Sequence, residues 1–265
     1  MDDNVINEIM DRVYQLLDSG NDKELKRLLA DMHPADIAEI LPRLEKEQEH
    51  AVFQLFSLKR ASEVLVELDE AERQSILDSI PDSKLADILK EVDSDDAADI
   101  LEELKEGRVR NVLNHLPPLE FGELRSLLLY EEESAGGIMA LELMALPEFR
   151  TAGEALAQLR KDGKQIEDIY NIYVVDRHNH LRGFVPLRDI VIDDPEATLA
   201  EIMDTELVTI NPDIDREEVA HMFQKYDFVS APVVDRDGRL LGRITIDDIM
   251  DVVAEETSED MALMA

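Results

Sequence analysis

Cysteine and tryptophan are absent from the 265-residue chain, and basic residues are few. Without cysteine there can be no disulfide framework and no thiolate metal site. Only 27 Lys and Arg residues stand against 62 Asp and Glu residues, which gives a net charge of −35. This balance argues against nucleic-acid binding, which needs a basic surface, and against adsorption to an anionic membrane leaflet. Cations or basic protein surfaces are the natural partners, although acidity that only maintains solubility would give the same composition.

Long apolar runs are also missing. No apolar stretch reaches the about 18 residues that a transmembrane helix requires, so nothing in the chain as given is predicted to span a membrane. The first residues are acidic and lack the basic and apolar segments of a signal peptide. The last residues, from Met261 onwards, turn apolar without a stop signal, which suggests a cut within a longer protein. With 45% apolar residues the chain can still bury real cores, and its length favours about two domains.

Residues 1–130 have a helical apolar period almost throughout and contain little glycine. Similar apolar phrases recur at 35–41, 61–65, 85–89 and 97–101, with a spacing of roughly 25 and then about 12 residues. This pattern predicts an all-α domain of short paired helices stacked as a superhelix, an architecture that usually offers a contact surface. The paired glycines Gly136 and Gly137 then mark a helix end and a change of domain.

The apolar period changes beyond that point. Residues 173–191 return as residues 232–250 at an offset of 59, without a gap and with eight of nineteen positions identical. Each copy is typical of a strand, a short turn, a second strand and the start of a helix. Matching amphipathic helices, Thr151 to Arg160 and Asp215 to Tyr226, precede the two copies. The second half is therefore predicted to be a tandem repeat of small α+β units.

The second copy leads directly into the most acidic stretch of the chain, residues 247–260. Half of its fourteen residues are acids and none is basic. On a helix, Asp248, Asp251, Glu255 and Glu259 would line one face, where stacked carboxylates repel. The chain supplies no evident Lys or Arg to offset them. Either this helix is simply well solvated or cations neutralise it.

The pattern V-V-D-x-x-x-x-L-x-G-x-x-x-x-x-D-I, present in both copies, resembles a tandem pair of CBS domains. The order of the parts is more specific: an acidic helical domain, the segment 130–139, two CBS repeats and an acidic helix. Over essentially the whole chain this order resembles the cytosolic region of MgtE-type magnesium transporters. The resemblance implies a multidomain fold, with an all-α superhelical N-terminal domain, an α+β tandem CBS pair and a C-terminal connecting helix. It assigns residues 1–130 to the N-domain, 134–199 and 200–252 to the CBS domains, and 253–265 to a connecting helix that leads to an absent membrane domain.

The resemblance also implies a function. It describes a Mg²⁺-sensing regulatory region on the cytoplasmic side of the cell membrane, forming a homodimer through its CBS domains and acting on its own transmembrane pore. Mg²⁺ bound between the N-domain, the CBS domains and the connecting helix would favour the compact state in which the pore is closed. The metal-ligating positions carried over from the family are Glu63, Asp95, Asp99, Gly137 (through its carbonyl), Glu217, Asp227, Asp248, Asp251, Glu256, Glu259 and Asp260.

Alternatives follow from the same residues. Asp95 and Asp99 could be an N-cap and a solvated helix face, Asp227 a helix cap, and Asp248 an N-cap, since it recurs as Asp189 in the first repeat. Arg188 and Asp189 stand where the family's nucleotide contacts are expected. Asn171, however, occupies an aromatic position of the nucleotide pocket and lacks a stacking surface, which argues against ATP.

The competing class is a soluble nucleotide-sensing CBS regulator joined to a helical adaptor. An enzyme is not expected, because the chain has no G-x-S-x-G, P-loop or G-x-G-x-x-G motif. The six histidines are scattered and form no zinc motif. Dispersed carboxylates instead suit Mg²⁺, which prefers hard oxygen ligands and retains several waters.

Overall fold

The computed structural model describes residues 3–163, 166 and 168–264, and the chain divides into two compact units. The first unit extends to Val92 and resumes over Ile100–Phe121. The second comprises Asp93–Asp99 and Gly122–Ala265. The predicted fold class, a helical N-terminal domain followed by an α+β CBS pair, is confirmed. In the part of the chain that is described, no helix combines the length and the apolar character needed to cross a membrane.

A 12-residue helix period organises the N-terminal part. After α1 (Asp3–Asp18), every helix from α2 to α10 begins 12 residues after the start of the one before it. The predicted spacing of roughly 25 residues thus counted two helices as one repeat. The helices are α2 (Asp22–Ala30), α3 (Pro34–Ile40, followed by a 3-10 turn Leu41–Arg43), α4 (Lys46–Phe53), α5 (Leu58–Val66), α6 (Glu70–Ser79), α7 (Asp82–Leu89), α8 (Ser94–Glu102), α9 (Glu106–Leu113) and α10 (Pro118–Leu127).

The sequence reason for this period is an apolar pair near the end of each repeat. Each pair is buried, so every short helix contributes one anchor to the core and could not be stable by itself. Polar turn residues separate the anchors, and Pro34 and Pro118 stand at first helical positions, where a missing N–H has no cost. The pairs from α3 to α9 are Ile40–Leu41, Val52–Phe53, Val64–Leu65, Ile76–Leu77, Ile88–Leu89, Ile100–Leu101 and Val112–Leu113.

The second unit contains two small sheets. In the first, β1 (Ala145–Pro147) pairs in parallel with β2 (Asn171–Val175), which pairs antiparallel with β3 (Leu181–Pro186). In the second, β4 (Ser230–Val234) pairs antiparallel with β5 (Leu240–Thr245). The strands β2 to β5 were predicted, and the short β1 was not.

The helices of this unit are α11 (Ala152–Asp162), α12 (Leu187–Ile192), α13 (Leu199–Ile202), α14 (Arg216–Tyr226) and α15 (Ile246–Met264). The starts of β2, β3 and α12 recur 59 residues later as the starts of β4, β5 and α15, which confirms the tandem repeat. The two hairpins meet at their tips, where Leu181 N donates to Gly238 O at 3.0 Å and Leu240 N donates to Asn179 O at 2.9 Å.

Helix α15 continues directly from β5 and runs through the whole acidic stretch. Ile249 and Val252 are buried on its inner face. Every side chain described beyond Val252 is exposed or partly exposed. The helix is therefore packed into the unit only over its first two turns.

Candidate metal centre

The first turn of α8 is fixed within the second unit by Ser94. The backbone N and the Oγ of Ser94 donate to the Glu142 carboxylate at 3.1 and 2.7 Å, and Leu141 N donates to Ser94 Oγ at 2.8 Å. Ala98, one turn further on, lies in the apolar core of this unit. These contacts hold the neighbouring side chain of Asp95 in a defined place.

Asp95 is a buried carboxyl group with an unmet requirement. Its residue is only 8% exposed, and its Oδ1 atom has no hydrogen-bond partner among the described residues. Burial raises the pKa of Asp95 well above its usual range, and the charges of Asp248, Asp96 and Asp93 raise it further. A buried carboxylate oxygen without a donor is costly unless a proton or a cation satisfies it.

Asp248 lies in the first turn of α15 and is the main acidic neighbour of Asp95. Its Oδ2 accepts hydrogen bonds from Thr245 N at 2.7 Å and from Thr245 Oγ1 at 2.9 Å, so the predicted N-capping role is present. Burial, with the charge of Asp247, nevertheless raises the pKa of Asp248 to about 6, although Thr245 and Arg243 act in the opposite direction. Two carboxyl groups that both resist ionisation thus occupy one location.

This pair suits a hard divalent cation. Mg²⁺ needs only one or two carboxylates and keeps several waters. In the described part of the chain, no group of three or more His, Cys, Asp or Glu side chains is arranged as a complete metal cage. The observations that fit Mg²⁺ are the unsatisfied Oδ1 of Asp95 and the mutual repulsion of Asp95 and Asp248.

Four of the other predicted ligands are exposed. Asp99 lies on α8 and Asp251 on α15. Glu217 lies in the first turn of α14, and Asp227 ends that helix in a left-handed conformation with φ 54°, as the capping alternative requires. Their roles as ligands stay predictions.

Glu63 lies in the first unit and is only partly exposed. It forms ion pairs with Arg60 at 2.9 Å and Lys59 at 3.9 Å. The Arg60 guanidinium also donates to the carbonyls of Ala30 and Met32, both at 2.7 Å, beyond the end of α2. Glu63 therefore already has cationic partners inside its own unit.

Glu256 also has a protein partner. Its carboxylate lies 3.4 Å from the guanidinium of Arg216, a residue that sequence reasoning did not identify. The expectation that the chain offers no basic residue to this acidic stretch was wrong, because Arg216 lies 30 residues before the start of α15 and reaches it in the fold. The side chains of Glu259 and Asp260 lie outside the described residues.

Gly137 lies where the backbone is crowded. A Cβ atom at this position would be 2.5 Å from the carbonyl oxygen of Glu132 and 2.8 Å from that of Glu131, so only glycine fits. Its N–H donates to Ser134 O at 3.0 Å. The proposed use of its carbonyl as a ligand is not tested by this geometry.

The predicted nucleotide residues lie at the first repeat. Arg188 and Asp189 begin α12 and pair with each other at 3.0 Å, with the arginine side chain 80% exposed. Asn171 is the first residue of β2. The pair is accessible, but no aromatic ring stands at position 171 to stack on a base.

Comparison with known proteins agrees with this architecture. The model of the MgtE intracellular N domain matches residues 32–133, and the CBS domain model matches residues 135–193 and 199–255. The magnesium transporter MgtE of Thermus thermophilus is 39% identical over 252 residues, which cover 94% of this chain and 56% of that protein. The chain therefore spans little more than half the length of this curated relative.

Two solved structures are similar over almost their full length. A crystal structure of the cytosolic domain of the Mg²⁺ channel MgtE in complex with ATP is 36% identical, with a TM-score of 0.87 over 92% of this chain and 99% of that one. A structure of the soluble part of a magnesium transporter is 30% identical, with a TM-score of 0.86 over 95% of this chain and 99% of that one. Similarity to an inosine-5'-monophosphate dehydrogenase of Nitrosopumilus maritimus is limited to 88 residues at 31% identity and reflects CBS domains alone.

Proposed function

Since the chain belongs to the MgtE family of magnesium transporters and corresponds to their cytosolic region, we propose that it is the Mg²⁺-sensing regulatory part of a magnesium channel or transporter. In the full-length protein it would lie at the cytoplasmic side of the cell membrane and act on its own transmembrane pore domain. The observation that carries this proposal is the buried Oδ1 of Asp95, which has no described partner and stands next to the acidic Asp248.

The proposed switch is electrostatic. Without Mg²⁺, ionised Asp95 and Asp248 repel each other, and this repulsion acts against the contacts of Ser94 with Glu142. Bound Mg²⁺ supplies two positive charges and hard-ligand coordination, which satisfies the buried oxygen. The compact, filled state would favour a closed pore, and the repulsive, bare state would favour opening.

The size of the required effect points to several sites. Shifting a two-state equilibrium from 1:99 to 99:1 takes about 5.5 kcal/mol of differential binding. One site filled to about ten times its Kd contributes about 1.4 kcal/mol. About four additive sites per protomer would therefore be needed, and the predicted exposed ligands Asp99, Glu217, Asp227 and Asp251 are the candidates for the remainder. A cooperative response to Mg²⁺ is expected.

A homodimer through the CBS domains is also proposed. Val191 on α12 and Met250 on α15 occupy equivalent places in the two repeats and are 61% and 60% exposed. Ile192 and Val253 add exposed apolar surface on the same two helices. Large apolar residues that recur symmetrically on exposed helix faces are typical of a buried interface. A second copy of the chain is the occupant that the repeat symmetry favours.

A Mg²⁺ titration tests the sensing proposal. The radius of gyration and the rate of proteolysis are followed at constant ionic strength, with NaCl replacing MgCl₂ in the control series so that simple screening is subtracted. We expect cooperative compaction and protection at millimolar Mg²⁺. The double variant Asp248→Asn, Asp251→Asn should respond much more weakly, whereas the matched variant Asp189→Asn in the first repeat should respond normally. A wild-type chain whose radius and proteolysis do not depend on Mg²⁺ would exclude the proposal.

A second candidate function, nucleotide sensing, is favoured by the ATP named with one similar structure and by the accessible Arg188–Asp189 pair. Calorimetric titration with ATP should then give saturable binding that Arg188→Gln abolishes. If ATP, AMP and ADP give no heat and no compaction, nucleotide sensing is excluded for this chain, as the missing aromatic ring at Asn171 predicts.

A further inference from the structure

Arg216 is the most enclosed cation of the acidic surface around α15. It is the first residue of α14, it is only 7% exposed, and its guanidinium is surrounded by three carboxylates from two separate segments. Its Nε lies 3.2 Å from Glu133, its Nη1 3.0 Å from Glu255 and its Nη2 3.4 Å from Glu256. The backbone N of Arg216 also donates to Glu133 O at 2.9 Å.

The position of this arginine is unfavourable unless acids surround it. The first turn of a helix carries partial positive charge, and a buried guanidinium loses its hydration. Burial tends to lower the pKa of Arg216, yet the charges of Glu133, Glu255 and Glu256 outweigh this and raise it. The rigid, planar guanidinium can bind several carboxylates at once, which a lysine cannot do. Arg216 therefore joins α14, the segment before Ser134 and α15.

We propose that Arg216 is a built-in cation that fastens α15 to α14 through Glu255 and Glu256 whether or not Mg²⁺ is present, so that any Mg²⁺-dependent movement of this helix begins beyond Glu256. The proposal deepens the Mg²⁺-sensing function above and identifies Arg216 as a positioning residue. Glu255 and Glu256 are thereby neutralised by the protein, in contrast to the Asp95–Asp248 pair, whose repulsion no described hydrogen bond to Asp95 Oδ1 relieves.

Two further features place the limit of attachment at this point. Val252 is the last buried side chain described on α15, so the ion pairs of Glu255 and Glu256 extend the attachment by one turn beyond the apolar packing. Immediately afterwards, Thr257 Oγ1 donates to Val253 O at 2.7 Å. Hydroxyl groups that bond to the carbonyl four residues earlier often bend helices slightly. The helix thus passes from a doubly anchored to an unanchored section at Thr257.

Hydrogen exchange of the backbone amides in residues 250–257 tests this, measured on the whole chain with EDTA and with saturating Mg²⁺. In the wild-type chain these amides should exchange at the same rate in both conditions. Replacing Arg216→Gln should accelerate their exchange about tenfold in EDTA, a moderate value because Glu133 and Glu255 are largely exposed. Mg²⁺ should then restore part of the protection, since three carboxylates have lost their cation.

Matched variants separate this effect from misfolding. Arg236→Gln removes an arginine of the same unit that is 85% exposed and pairs with Asp213, and it should leave residues 250–257 unchanged. Glu255→Gln with Glu256→Gln keeps the buried arginine close to Glu133 and should also accelerate exchange there. Amides of β4 and β5 should stay protected in every variant.

Two results would overturn the proposal: unchanged exchange of residues 250–257 in both Arg216→Gln and the double glutamine variant, or loss of wild-type protection in that segment when Mg²⁺ is removed. Failure of the sensing function itself looks different. In that case the wild-type chain shows no Mg²⁺ dependence in any segment, while the comparison of variants in EDTA still decides the role of Arg216.

Discussion

Replacing Asp248 with asparagine should stabilise the Mg²⁺-free protein, although it removes a proposed ligand. The pKa of Asp248 is raised from 3.8 to about 6, so the folded state disfavours its ionised form. At about 1.4 kcal/mol per pKa unit, this corresponds to roughly 3 kcal/mol. The side chain keeps some contact with solvent, which reduces the expected gain to about 2 kcal/mol. Asparagine can still cap the helix through its amide oxygen, so the hydrogen bonds from Thr245 need not be lost.

The pH dependence gives this prediction its sign. Because the folded pKa of Asp248 lies above the unfolded one, the penalty is fully present above pH 6 and is lost as the pH falls from about 6 towards about 4. The advantage of Asp248→Asn should therefore be largest at pH 8 and about half as large at pH 5. Saturating Mg²⁺ should reverse the order, because only the wild-type chain retains both carboxylates.

Urea unfolding of the second unit in EDTA at pH 8 and pH 5 measures the effect, and Asp189→Asn is the control. Asp189 occupies the equivalent position in the first repeat but is paired with Arg188, so its replacement should give no stabilisation. If Asp248→Asn destabilises the metal-free protein at pH 8, or if its effect is the same at both pH values, carboxylate repulsion is refuted as the source of the penalty.

Three further predictions concern the fold and its assembly. Arg108→Ala should destabilise the first unit by about 2 kcal/mol in thermal unfolding, because its guanidinium donates to Leu77 O at 2.8 Å and Ile80 O at 2.7 Å; an unchanged melting temperature would contradict this. Gly137→Ala should destabilise the second unit by about 1–3 kcal/mol, whereas Gly107→Ala, with open space around it, should be neutral or stabilising; equal effects would show that crowding at Gly137 has no energetic weight. Met250→Glu should halve the mass in light scattering at low micromolar concentration, while the equally exposed Phe149→Glu should not; a dimer that tolerates Met250→Glu would exclude α15 from the interface.

Much of the fold could be predicted because each element carries its own local signal. The offset of 59 in the sequence is sufficient to align β2, β3 and α12 with β4, β5 and α15. The helical repeats were also recognised, but their 12-residue period was not, since alternate helices repeat their sequences more closely than neighbouring ones. Strand β1 was missed because Ala145–Pro147 is only three residues long and joins the sheet by a parallel, non-local pairing.

The site was harder to predict because its determinants are non-local. The acidity of Asp95 and Asp248 was evident from the sequence, whereas the burial of Asp95 depends on Glu142, which lies 48 residues beyond Ser94. No sequence spacing indicates that Arg216 meets Glu133 on one side and Glu255 on the other. A single buried arginine before an amphipathic helix would be the one available signal, and helix-start arginines are usually exposed.

Crystals grown with Mn²⁺ in place of Mg²⁺ would test the central claim most directly. Mn²⁺ accepts the same carboxylate and water ligands, and its anomalous scattering identifies its position. We predict an anomalous peak within coordinating distance of Asp95 Oδ1 and the Asp248 carboxylate, which disappears in Asp95→Asn. Mn²⁺ peaks confined to other carboxylates, with Asp95 and Asp248 free of metal at saturating concentration, would contradict the proposed site.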